Sequence, residues 1–108
     1  MITRENIYTA SVLTDKKIVK TIGYVKGSTV QTKNVGRDIA AAFKTLFGGE
    51  IKGYTEMMDQ ARKIAVGRLV QEAEELGANA IIAFRLQTSA VMAGAAEIIA
   101  YGTAVLVE

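Results

Sequence analysis

Cysteine is absent from the 108 residues, and so is histidine. The first absence excludes disulfides, thiolate chemistry and thiolate metal sites. The second removes the commonest general base together with the commonest transition-metal ligand. Proline is also missing, which fits a compact chain without rigid linkers. Charge of one sign is scarce: 13 basic residues oppose 11 acidic ones for a net +2. No basic block and no interleaved aromatic platform appears, so nucleic acid is not an expected partner. Nor does any run reach the roughly 20 apolar residues that span a bilayer. "MITRENIYTA" lacks the apolar stretch of a signal peptide, and the expected location is cytoplasmic.

Half of the residues are hydrophobic and 22% are charged, the balance of a globular chain. The length suits one domain over 1–108. Residues 1–16 are polar, with "IYTASVL" a candidate short strand. From about Lys17 to Thr32, β-branched and aromatic residues predict a strand, bent or bulged at Gly23 or Gly27. A short helix is expected over 34–47. Asn34 would cap it, Val35, Ile39, Phe43 and Leu46 would share a face, and Gly48-Gly49 would end it.

A long helix is the clearest expectation, with Thr55 as N-cap and Gly77 as stop. Met58, Ala61, Ala65, Leu69, Ala73 and Leu76 step at a mean of 3.6 residues and define its core stripe. Two strands follow, about Asn79 to Thr88 and about Ala95 to Val107. A hairpin centred near Val91 would set Arg85 opposite Glu97, Ile81 opposite Tyr101 and Phe84 opposite Ile98. The last strand is apolar in both parities: Ala96, Ile98, Ala100, Ala104 and Leu106 in one, Ile99, Tyr101, Val105 and Val107 in the other. Such a strand must be covered on both faces. The long helix covers one. Either the short helix or further copies of the chain must cover the other, and self-association is the economical answer.

The stretches "IGYVKGSTVQTKNVGRDI", "GGEIKGYTEMMDQARKIAVGRLVQEAEELGANAIIAFRLQTS" and "GAAEIIAYGTAVLVE" together resemble the YbjQ-type family of small bacterial and archaeal proteins. The resemblance runs from about Ile18 to Val107. It implies an α+β, dodecin-like subunit, a small sheet with one long and one short helix, assembled as a pentameric ring. The family is often labelled heavy-metal-binding, and the resemblance supplies no catalytic residue. Many relatives carry an acidic residue near Gln87, where this chain has an amide, which weakens a carboxylate site there.

Soft metal ions find only methionine thioethers in this chain. No dense carboxylate loop offers a calcium or magnesium site. Glu97 and Met92 are the two residues a ring would gather as metal ligands. Against them stand a cross-strand ion pair of Glu97 with Arg85 and plain packing of Met92. A weaker anion site combines Ser28, Lys33, Asn34 and Arg37 at the start of the short helix, although no phosphate-loop signature is present. The alternative there is a capped turn with solvated charges. No constellation identifies a reaction. The expectation is a non-enzymatic ring that binds a small ligand or metal ion, its cofactor unidentified. The alternatives are an enzyme with a carboxylate site at a subunit interface and a purely structural or protein-interaction ring.

Overall fold

A computed structural model describes residues 1–32, 52–92 and 95–108. After a 3-10 turn at Arg4–Asn6 come β1 (Ile18–Thr32), α1 (Lys52–Glu75), β2 (Ala80–Met92) and β3 (Ala95–Val107). The strands form one sheet in the order β1-β3-β2, and both pairings are antiparallel. With α1 packed across it, the described residues form a small α+β fold. The helix expected over 34–47 lies outside the described residues.

The central position of β3 explains much of its doubly apolar character. Its even-numbered residues face α1: Ala96, Ile98, Ala100 and Ala104 are buried together with Met58, Ala61, Ala65, Leu69 and Ala73. Alanines dominate both surfaces, so the helix lies unusually close to the sheet. Gly27 is the closest point, since a Cβ there would fall on the backbone of Ala65, Arg68 and Leu69. Gly27 therefore sets the helix–sheet spacing. The bulge expected at Gly23 or Gly27 falls at Gly23, where the register with β3 shifts.

The helix begins at Lys52, so Thr55 lies inside its first turn and is not the N-cap. Nothing between Lys52 and Tyr54 forbids helical backbone, there being no proline to stop it. At the other end the expected stop holds. Gly77 takes a φ of +87°. The Ala78 N–H donates to Ala73 O at 3.0 Å and the Gly77 N–H to Glu74 O at 3.0 Å, a Schellman closure. Leu76 falls past the last helical residue, loses the phase of the stripe and is exposed.

The hairpin register differs from the expected one. Arg85 faces Tyr101, Leu86 faces Ala100 and Ser89 faces Glu97, four places along from the predicted pairing. β2 continues through Gln87–Met92 because β3 presents thirteen residues of ladder whose backbone groups need partners, whatever the polarity of the side chains. Nearer its start β2 carries a bulge between Ile82 and Arg85. Ala83 adopts a φ of +54° there, outside the usual range for a residue with a Cβ. The extra residue reverses the facing of everything before it. Ile81 consequently points to the helix side, and Ile82 joins Ala80 and Val105 on the opposite side.

That opposite side is partly closed from within the chain. Tyr8 and Leu13, with Ile18 and Val107, pack over Ala80, Ile82 and Val105. The N-terminal segment is held to the bulged edge of β2 by three backbone bonds. Tyr8 N–H donates to Ile81 O at 2.8 Å, Ala83 N–H to Ala10 O at 2.9 Å, and Phe84 N–H to Tyr8 O at 2.9 Å. The strand-like expectation for "IYTASVL" reduces to one isolated parallel bridge, Ile7 to Ile81. Neither the short helix nor a second copy is needed to cover Val105. This corrects the expectation that the whole second face requires one of them.

Candidate functional site

The described surface offers two places where side chains converge. The first is the outer face of the sheet beyond the N-terminal cover. The register aligns three cross-strand rows there: Lys26, Tyr101 and Arg85; Ser28, Ile99 and Gln87; Val30, Glu97 and Ser89. Tyr24 is 77% exposed, Val30 53% and Tyr101 40%. Glu97 is half-buried in the midst of this face. The pair expected between Glu97 and Arg85 does not form. The Arg85 guanidinium instead donates to Thr9 O at 2.9 Å and Phe84 O at 2.7 Å, which ties it to the N-terminal segment. Glu97 has no ion-pair partner among the described residues.

The free edge of this sheet, β1, is shielded where it passes the helix. The Arg68 guanidinium donates to Ser28 O at 2.6 Å, and the Glu72 carboxylate accepts from the Lys26 N–H at 3.4 Å. Two outward backbone groups are thereby occupied, a device that blocks strand addition along that stretch.

The second place is a groove on the helix side. Since α1 lies over β1 and β3, the helix-facing side of β2 is only partly covered. Val66 and Val70 of α1, Phe84 and Leu86 of β2, and Ile2 and Ile7 of the N-terminal segment line a groove of about 660 Å³. Arg4, Arg62 and Lys63 also line it. The N-terminal wall is fixed by the Ile2 N–H, which donates to Glu74 Oε2 at 2.7 Å. Arg62 is held to Asp59 at 2.7 Å, one turn back on the exposed helix surface.

Of the sequence candidates, Glu97 stands on the central strand and Ser28 stands exposed on β1, one row apart on the outer face. Met92 ends β2 opposite Ala95, and its side chain lies outside the description. Lys33, Asn34 and Arg37 lie outside the described residues, so Ser28 is the one member of the anion candidate that is placed. Gln87, exposed, faces Ile99. The groove escaped the sequence reading. Its signal is the second apolar step on α1, Val66 to Val70, which the core stripe does not use.

The donor set does not fit a heavy-metal ion held by one chain. Thiolate and imidazole are missing from the whole sequence. Among the described residues no three Asp or Glu side chains gather as ligands. Of the thioethers, Met58 is buried in the core and Met1 is 99% exposed, far from a preformed site. No helix among the described residues is long and apolar enough to cross a membrane.

Fold and surface together define a class: a small α+β domain, apolar in its surface features and poor in metal-binding groups. The comparisons narrow it. Residues 6–108 match the YbjQ model, described as "Putative heavy-metal-binding", and the chain belongs to that family. It is 74% identical over 86 residues to a UPF0145 protein of Halalkalibacterium halodurans, covering 80% of this chain and 81% of that one. A UPF0145 protein of Clostridioides difficile is 57% identical over 102 residues, 94% of this chain and 91% of the relative. A crystal structure at 2.73 Å of a DUF74-family protein of unknown function from Pediococcus pentosaceus shares the fold. Its TM-score is 0.59 at 18% identity, covering 94% of this chain and 96% of that chain.

Proposed function

We propose that the protein is a cytoplasmic homo-oligomer, a ring of five by its family resemblance, that holds a small ligand and catalyses no reaction. One observation carries the oligomer: Tyr24, Val30 and Tyr101 stand exposed on the outer sheet face, beside the half-buried Ile99. Aromatic residues of this kind are enriched at protein interfaces, and each side chain fully buried contributes about 1.5–3 kcal/mol.

Metal binding follows a second reading, favoured by Glu97. Its carboxylate sits on the outer face without an ion pair among the described residues. One carboxylate holds no heavy metal, so such a centre requires Glu97 from several copies.

The solution mass tests the ring: a multiple of 11.6 kDa is expected, and a lone 11.6 kDa species at micromolar concentration overturns it. A thermal-shift panel of metals and metabolites tests the ligand, because anything that binds the folded state raises the melting midpoint. A metal-dependent rise that survives Glu97→Gln eliminates the shared carboxylate centre. A ring that responds to no compound is structural only, and turnover of any generic substrate makes it an enzyme.

A further inference from the structure

We propose that the groove between α1 and β2 binds an aliphatic carboxylate, one per chain, with its hydrocarbon chain on Val66, Val70, Phe84 and Leu86 and its carboxylate at Lys63 and Arg4. The inference rests on the small-ligand part of the proposed function and is independent of the ring.

Three observations lead to it. The first is size and lining. A groove of about 660 Å³ lies within the range of small-molecule sites, roughly 300–1,000 Å³, and aliphatic and aromatic side chains dominate its walls. The second is charge. All three ionisable residues that line it are cations, and Asp59 is paired with Arg62. Arg4 and Lys63 have no ion-pair partner among the described residues. An apolar trough with cations at its margin is complementary to an amphipathic anion.

The third is Gly67. It lies in the middle of a 24-residue helix, where glycine is unfavourable by about 1 kcal/mol relative to alanine. No close packing requires it, since a Cβ at Gly67 would meet nothing within 4 Å. Its neighbour in kind, Gly27, has the opposite surroundings and a plain steric reason. What Gly67 does is leave the groove wall bare between Val66 and Val70. A missing side chain facing open volume is the signature of space kept for something else.

Titration calorimetry of the purified full chain with decanoate, kept below its micelle-forming concentration, tests the proposal. Saturation at one decanoate per chain is expected, with 1-decanol binding several-fold more weakly. Gly67→Leu fills the groove and should weaken decanoate roughly tenfold or more, while its melting midpoint stays level or rises because leucine favours helix. Lys63→Gln should weaken decanoate by about threefold to tenfold and leave 1-decanol unchanged. Absence of saturation overturns the proposal, as does wild-type affinity in Gly67→Leu or equal affinity for the alcohol. Should Gly67→Leu lower the solution mass, a neighbouring chain occupies the groove and the proposal also falls. If that variant does not fold, amide-shift mapping on the wild type decides: changes centred on Val66, Val70 and Phe84 support the site, and changes elsewhere overturn it. The solution mass measured without decanoate reads the ring separately.

Discussion

The two ends of β3 have the same kind of sequence and different surroundings. At the C-terminal end Val105 is fully buried, with α1 on one side of the sheet and Tyr8 and Leu13 on the other. Four residues earlier, Tyr101 is 40% exposed on the outer face. Apolarity alone therefore does not say how a strand is covered. Val105 is covered by its own chain, and Tyr101 stands exposed.

The helix side, common to both ends, is where the largest break is expected. Gly27→Ala places a methyl group 2.8 Å from the Arg68 carbonyl carbon and nearer still to the flanking backbone, which cannot give way. Denaturant unfolding should register a loss of about 3 kcal/mol or more. The covered and open ends then separate in the next measurement. Val105→Ala removes two buried methyl groups and should cost about 2 kcal/mol. In dissociated protein Tyr101→Ala should stay within about 0.5 kcal/mol of wild type, yet it should lower the solution mass. Equal costs at the two positions would erase the distinction.

A smaller effect tests what anchors the covered end. The Asn79 side chain accepts from the Val107 N–H at 2.7 Å and donates to Val107 O at 2.9 Å, replacing a ladder pair just where β2 begins. Asn79→Ala should cost about 1–2 kcal/mol in the same unfolding assay. The smallest expected change is a gain. Ala83 holds a left-handed backbone conformation at the bulge, and Ala83→Gly should raise stability by about 0.5–1 kcal/mol. A loss there would mean that the methyl group packs usefully and that the bulge is not strained.

Periodicity carried most of the fold. The helical steps of three and four from Met58 to Ala73 and the β-branched run of β1 fix elements whose partners are local in pattern. The hairpin register was not legible. Gln87 and Thr88 read as the end of a strand, whereas ladder pairing depends on backbone groups that no side chain announces. Nor does Ala83 signal a bulge, because alanine has no special claim on positive φ. The cover supplied by Tyr8 and Leu13 was hidden for a related reason: Ile2, Ile7, Tyr8 and Leu13 follow no period, and each is placed by a different contact. The groove was invisible because it is bounded by segments some sixty residues apart, and its distinguishing feature is a side chain that is not there.

The N-terminal segment closes the structure by reaching from Ile2 to Glu74, a separation of 72 residues along the chain. Three backbone bonds to β2 and one to Glu74 hold this segment, few enough to place it at the low-stability end of the fold. The amides of Tyr8, Ala83 and Phe84 should then exchange with deuterium through a local opening that leaves the β1–β3 ladder intact. An opening of that kind would take away the wall of the groove and the cover over Val105 together, because Ile2, Ile7, Tyr8 and Leu13 belong to the same segment.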